Sequence, residues 1–221
     1  MRSMFKMGLG TMLVVFALGA VASASASAAE CPGTGTGTQL CSGGKALEGT
    51  FAFTGKQQFG TTKIFNIVGV MSLDCSGLTN KGSLVATKST VEVTKDIIEW
   101  SNCKLEGQPL CKVAPLVFGT TTGLAGLLTL SGEVGEVTFS AAKGSPFGLV
   151  SVTGCEHEFE GKITGTQKCT WPSGTVEAVK HKEVCTASGS KLRTNGFETT
   201  IFVNEELELT SGKAFSLQRS S

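Results

Sequence analysis

The chain of 221 residues has no tyrosine, two tryptophans and two aspartates, and its formal net charge is +1. The rarity of Tyr and Trp counts against a polysaccharide-binding cleft, because these side chains are the usual platform for a sugar. No block of Lys and Arg supplies the concentrated positive charge that nucleic-acid phosphates require. Asp74 and Asp96 are too far apart to form a calcium loop of the D-x-D type.

Signatures of common catalytic sites are missing as well. The sequence contains neither G-x-S-x-G nor a P-loop, and the Gly-Thr repeat at 33–38 lacks the last glycine of G-x-G-x-x-G. We therefore predict that the protein has no catalytic residue, no cofactor and no metal, and that it is not an enzyme.

Residues 1–29 have the organisation of a cleaved signal peptide. Arg2 and Lys6 precede an apolar run at 7–21, which is shorter than the roughly 20 residues of a membrane-spanning helix. Small residues then lead to a predicted cleavage before Ala29 or Glu30. Glu30 is unsuited to the position before an acylated cysteine, so we expect Cys31 to carry no lipid. The mature chain is predicted to be secreted or otherwise extracytoplasmic, without a stable membrane span.

The cysteines all follow this segment, and their even number in an exported chain indicates four disulfides. Eight cysteines allow 105 pairings. The simplest set joins neighbours along the chain, although Cys103 and Cys111 could exchange partners. The pairs in this set are Cys31–Cys41, Cys75–Cys103, Cys111–Cys155 and Cys169–Cys185.

A zinc site is the alternative use of four of the side chains that could bind metal. Its spacings are not those of a standard zinc knuckle, and exported cysteines are usually oxidised. We therefore expect both histidines to lie on a solvated strand face. The four side chains are Cys155, His157, His181 and Cys185.

Alternation of apolar and polar residues dominates the chain after residue 30. It is clear in "STVEVTK", "EHEFEGKITG" and "TTIFVNEELELTSG", and it is typical of half-buried antiparallel strands. "TKIFNIVGVMSL" is apolar on both sides and predicts one strand covered on both faces. The pattern predicts an all-β fold, an antiparallel β-sandwich or partly open barrel stapled by disulfides. We expect a single domain over 30–221, with a possible subdivision near 110–120.

The tryptophans are the candidate binding residues. Trp171 precedes the turn signal Pro172-Ser173-Gly174, so we expect it to be exposed and to be the best contact residue for a ligand. Trp100 alternates with Ile98, which favours the core or a sheet edge over a ligand platform.

Paired glutamates support a second hypothesis, a secreted hydrolase that acts on polysaccharides. Its carboxyl groups would have to lie roughly 5–9 Å apart in a cleft. The same glutamates alternate with apolar residues, as on an ordinary wet face. The two candidate groups are Glu156, Glu158 and Glu160, and Glu205, Glu206 and Glu208.

Residues 72–165 carry a family resemblance. The segments that carry it are "SLDCSGL", "WSNCKLEGQPLCKVAP", "GLAGLLTLSGEVGEVTF" and "SPFGLVSVTGCEHEFEGKITG". They resemble uncharacterised exported, disulfide-containing all-β proteins of high-GC Gram-positive bacteria. The resemblance implies export and an all-β fold, and it implies no activity or ligand. We therefore expect a cell-envelope or extracellular protein with a structural or interaction role and an unknown partner.

Overall fold

The computed structural model describes residues 30–58, 65–120 and 122–220, so the predicted signal peptide at 1–29 lies outside the described residues. Within these ranges no helix has the length and apolar character needed to cross a membrane. The strands of the described residues, numbered β1 to β18 in chain order, are Thr38–Ser42, Lys45–Leu47, Gly49–Gln57, Phe65–Ile67, Met71–Ala86, Val91–Leu105, Lys112–Val113, Leu116–Phe118, Leu124–Ser131, Val134–Ala141, Gly148–Thr153, Phe159–Thr164, Thr166–Trp171, Lys180–Cys185, Leu192–Thr194, Phe197–Ile201, Val203–Leu209 and Ser216–Arg219.

Eight of these strands close into a ring, which we call the first barrel. Each strand pairs antiparallel with the next, and the pairing of β5 with β6 completes the circle. The ring order is β5, β3, β17, β14, β13, β10, β9 and β6. An eight-stranded ring has an interior just wide enough to be filled by side chains.

A second ring, which we call the second barrel, uses the same two long strands. Its order is β5, β4, β16, β15, β12, β11, β8 and β6. In β5, residues 79–86 pair within the first barrel and residues 71–73 within the second. The hairpin of β5 and β6 therefore runs through both barrels and joins them.

A small three-stranded sheet, in the order β18-β1-β2, covers part of the first barrel. Leu217 of this sheet is fully buried, and its side chain lies over Gly135 of β10, where a Cβ atom would come 2.7 Å from Leu217 Cδ1. The nearby Phe215 ring packs against His181, with the ring centroids 4.2 Å apart and the ring planes tilted by 45°. The sheet thus supplies apolar side chains that fill the barrel next to β10 and β14.

The predicted all-β, antiparallel, disulfide-stapled class is confirmed. Of the two forms expected, the strand pairing corresponds to a barrel, and both rings are closed. The described part of the apolar run at 62–73, residues 65–73, does not form one strand. Gly69, with φ of 74°, turns the chain between β4 and β5, and Val68 and Val70 lie exposed at this turn. Their apolar character is thus not a sign of a strand buried on both faces.

The structure joins the cysteines in the order along the chain that the sequence favours. Two of the bridges link residues directly opposite each other in adjacent strands, Cys75 with Cys103 and Cys169 with Cys185. The latter pair lies inside the first barrel, where each residue is 1% exposed. Cys111–Cys155 instead joins half-buried loop residues.

We predict that the buried bridge stabilises the fold more than the half-buried one. Chain entropy alone favours the longer loop, with roughly 4 kcal/mol for Cys111–Cys155 and roughly 3 kcal/mol for Cys169–Cys185. Replacing the buried pair by alanine also leaves a cavity in a filled interior, which costs roughly a further 2 kcal/mol.

Urea unfolding of the two double-alanine variants at one pH measures this difference. We expect Cys169→Ala/Cys185→Ala to lose more free energy of unfolding than Cys111→Ala/Cys155→Ala. An equal or smaller loss would show that loop entropy, and not packing, decides the contribution of these bridges.

Candidate functional site

Three carboxyl side chains lie inside the first barrel. Glu183 of β14 and Glu205 of β17 are directly opposite each other in the ladder, so both point to the same face of the sheet. Asp96 of β6 points into the same interior. None of the three is more than 1% exposed. We call Asp96, Glu183 and Glu205 the carboxyl cluster.

Two hydrogen-bond donors reach the cluster from neighbouring strands. Trp171 Nε1 donates to Glu183 Oε2 at 2.7 Å, and Asn80 Nδ2 donates to Glu205 Oε1 at 3.0 Å. Gly55 of β3 makes room for the second carboxyl group, because a Cβ atom there would overlap Glu205 Oε2. Buried polar groups of this kind are normally satisfied in full. In the carboxyl cluster only some of the acceptor atoms receive a hydrogen bond.

Asp96 faces inward because β6 contains a bulge. Val93 and Asp96 are both buried although three positions separate them, and the register shifts between them. Lys95 takes φ of 54°, and Gly123 lies so close to the Lys95 backbone that a side chain would not fit there. The extra residue turns the next side chain inward, as bulges do. Regular alternation from Val93 would instead have placed Asp96 on the outer face.

Acceptors outnumber donors at the cluster. Both carboxyl oxygens of Asp96, Glu205 Oε2 and Asn80 Oδ1 are buried without a hydrogen-bond partner. The side-chain amide of Asn80 also lies beside Asp96 and favours its ionised form, although the contact with hydrogen-bond geometry is the one to Glu205. All four of these atoms are acceptors, and a proton on a nearby carboxyl group would supply a donor.

Burial disfavours the ionised form of each carboxyl group. It raises the pKa of Glu183 to about 7, against the lowering effect of the Trp171 hydrogen bond. Burial, then Glu183 and then Asp96 raise the pKa of Glu205 well above its ordinary value, while Asn80 lowers it in part. Burial and Glu183 raise the pKa of Asp96 well above its ordinary value, again against Asn80. The cluster therefore favours protonated carboxyl groups.

Metal ligands are not gathered around the cluster. Among the described residues, the set of potential ligand atoms within 4.8 Å of one another is formed by Cys169, Glu183 and Cys185. The two sulfur atoms of this set are bonded to each other as a disulfide and offer no thiolate. The set therefore lacks the ligands of a zinc site.

Both predicted contact residues are buried. Trp100 is 0% exposed and packs edge-on against Phe118 at 5.9 Å, which agrees with its interpretation as a core residue. Trp171 is 1% exposed, so the expectation that it lies at the surface is wrong. β13 extends as far as Trp171, and the Phe215 ring covers it at 6.2 Å. Neither ring presents a face to solvent.

The histidines occupy different environments. His157 is exposed, as expected, although it lies in the loop before β12 and not on a strand. His181 is 3% exposed, so the solvated position predicted for it is wrong. His181 Nε2 lies 2.7 Å from the carbonyl oxygen of Phe215, and burial lowers the pKa of the ring. Because Cys155 and Cys185 both form disulfides, the alternative zinc site has no thiolate ligands.

The glutamates of the two candidate groups differ in their exposure to solvent. Glu156, Glu158 and Glu160 are exposed, and Glu160 lines an open groove of ≈ 400 Å³ whose lining residues include no tryptophan. Glu205 is buried, whereas Glu206 on the outer face forms an ion pair with Lys180 at 3.3 Å. Glutamate and tryptophan meet inside the first barrel, between Glu183 and Trp171, where neither is exposed.

Comparison of the chain with family models, with curated proteins and with solved structures gives no match.

Replacing Trp171 by phenylalanine tests the hydrogen bond to Glu183. Trp171→Phe leaves Glu183 Oε2 without its donor, which costs about 1–3 kcal/mol. Trp100→Phe is the matched control, because Trp100 is equally buried and its Nε1 has no partner. Chemical denaturation should show that Trp171→Phe loses more stability than Trp100→Phe by about this amount. Equal losses would mean that the bond to Glu183 contributes nothing.

Proposed function

We propose that the protein is an exported protein of the cell envelope or extracellular space, with a structural or interaction role and without catalytic activity. The observation that carries this proposal is the set of four disulfides, which leaves no free cysteine among the described residues. Disulfides persist in oxidising compartments outside the cytosol. The four bridges therefore indicate such a compartment, and the secreted location is our proposal.

The burial of the carboxyl cluster supports a role that does not involve catalysis. A catalytic acid or base has to lie within hydrogen-bond reach of its substrate. Glu183 and Glu205 are 1% and 0% exposed, with the carboxyl groups enclosed by the first barrel. These two groups have the raised pKa values of candidate acids, but they contact the protein itself. Their effect is therefore on the fold.

Export and processing can be tested together. The full chain is expressed in a Gram-positive secretion host and recovered from the medium and the envelope. We expect a mature protein that begins at Ala29 or Glu30, carries no lipid on Cys31 and has no free thiol. An intact Met1 together with free thiols in a cytoplasmic fraction would contradict the proposal.

The hydrolase hypothesis is tested at the exposed glutamates. Glu158 and Glu160 are solvated, so we expect Glu158→Gln/Glu160→Gln to change the free energy of unfolding by less than about 0.5 kcal/mol. The matched control is Glu92→Gln/Glu99→Gln, two exposed residues on the outer face of β6. Release of reducing sugars from peptidoglycan, chitin and cellulose is measured for all three proteins.

We expect no hydrolysis by the wild-type protein. Sugar release by the wild type that is lost in Glu158→Gln/Glu160→Gln and kept in the control pair would establish the hydrolase and overturn our proposal.

A further inference from the structure

We propose that the carboxyl cluster stabilises the first barrel in a proton-dependent way: Asp96, Glu183 and Glu205 keep protons in the barrel interior, and loss of these protons weakens the fold. The proposal rests on the position of three carboxyl groups in one interior and on the four acceptor atoms there that have no partner. It concerns the stability of the fold and is independent of the proposed function.

The charge around the cluster follows from the side chains that face it on each strand. β14 contributes His181 and Glu183, β17 contributes Glu205, β6 contributes Asp96 and β5 contributes the uncharged Asn80. The other four strands contribute no charged side chain to the interior. Their buried side chains include Phe53, Leu124, Leu128, Val137, Phe139, Gln167, Cys169 and Trp171.

Positive charge is kept out of this interior. Seven lysines lie on the strands of the first barrel, and each is exposed or half-exposed: Lys56, Lys81, Lys95, Lys104, Lys168, Lys180 and Lys182. Lys168, for example, pairs with Glu136 on the outer face at 3.1 Å. His181 is the buried basic group of the described residues, and its Nε2 contacts the Phe215 carbonyl oxygen and not a carboxyl group. The cluster therefore has no counter-charge.

Protons bound to the carboxyl groups both lower the buried negative charge and provide hydrogen-bond donors. Three ionised carboxylates in an apolar interior without a counter-charge would carry a large desolvation penalty. Each proton that the cluster binds removes one negative charge and adds one O–H donor. The unpartnered atoms of Asp96, Glu205 and Asn80 are all acceptors and can receive these donors. Protons bound by the cluster thus reduce the buried negative charge and supply hydrogen-bond donors to an interior rich in acceptors.

The direction of the pH dependence follows from linkage. A carboxyl group whose pKa is raised in the folded state holds a proton there when the unfolded chain has lost it. Its contribution to stability is complete below the unfolded pKa of about 4 and is lost as the pH rises through the folded pKa. That value is about 7 for Glu183, and the pKa values of Asp96 and Glu205 are also raised.

His181 acts in the opposite direction. Its pKa is lowered in the folded state by burial, so protonation below its ordinary pKa of about 6.5 favours the unfolded chain. Above that pH the histidine is neutral in the unfolded chain too, so His181 no longer contributes to the pH dependence of stability. The effect of the carboxyl cluster should therefore be clearest between pH 6.5 and 8.5.

The experiment is urea unfolding of the full mature chain, with its disulfides intact, at pH values from 5 to 8.5. One extra proton held by the folded state raises the unfolding equilibrium constant about tenfold per pH unit. We expect the unfolding equilibrium constant of the wild type to rise with pH above pH 6.5. A constant that is flat or that falls with pH would overturn the proposal.

Glu205→Gln replaces the carboxyl group by a neutral amide of the same shape. We expect it to reduce the slope by about one proton and to make the variant more stable than the wild type at pH 8.5. Glu208→Gln is the matched control, since Glu208 lies on the same strand on the outer, half-buried side. It should leave the slope unchanged. Asp96→Asn is the second variant and should reduce the slope in the same way.

A bound cation is the competing outcome. Calcium or magnesium added at pH 8.5 should leave the wild-type unfolding midpoint unchanged, as should a chelator. A midpoint raised by the cation in the wild type and not in Glu205→Gln would show that the cluster takes a metal ion in place of protons. An unchanged slope in both Glu205→Gln and Asp96→Asn would also contradict the proposal.

Discussion

The architecture depends on one continuous pairing, that of β5 with β6. The ladder runs from Leu73 opposite Leu105 to Ala86 opposite Val91 and is interrupted by one shift in register. Each end of this hairpin closes a different ring of eight strands. The Cys75–Cys103 bridge fixes the register within the second barrel. Because both barrels use the same backbone hydrogen bonds, neither interior can be assembled correctly with the hairpin in a different register.

Different kinds of side chain fill the interiors of the two barrels. Around Trp100 and Phe118 the second barrel is packed with aromatic and aliphatic side chains. The first barrel contains polar side chains, and Glu183 and Glu205 face each other across two adjacent strands. Burying polar groups is compatible with stability only when their hydrogen bonds are made, which gives proton uptake a structural meaning in this barrel. The first barrel thus differs from the second in that it buries carboxyl groups.

The sequence predicted the features that depend on local pattern. Period-two alternation placed Val91, Val93 and Leu207 on buried faces, as the structure has them. The neighbouring cysteines form bridges because hairpins bring the chain back beside itself. The same alternation also places Glu205 between Val203 and Leu207, on the inward face. The alternation therefore indicates burial of Glu205. A glutamate in a strand is ordinarily solvated, however, and this general expectation favours exposure instead.

Other features of the site could not be read from local pattern. The inward position of Asp96 depends on the bulge at Lys95, which breaks the alternation. The burial of Trp171 and His181 depends on Phe215, which follows them by more than thirty residues and arrives with the small sheet. Which face of β14 becomes the interior is settled only when the ring closes. These are long-range events, and a single strand's sequence does not encode them.

The shared hairpin also has a mechanical consequence. A strand of 16 residues such as β5 extends for roughly 50 Å at the usual rise per residue. It crosses from one barrel to the other with no linker at which the chain could bend. Because β5 and β6 each run through both barrels, a tensile load along the barrels would be carried by two covalent backbones that their hydrogen bonds hold side by side. Under such a load the two barrels would move as one rigid unit and not as two flexibly linked domains.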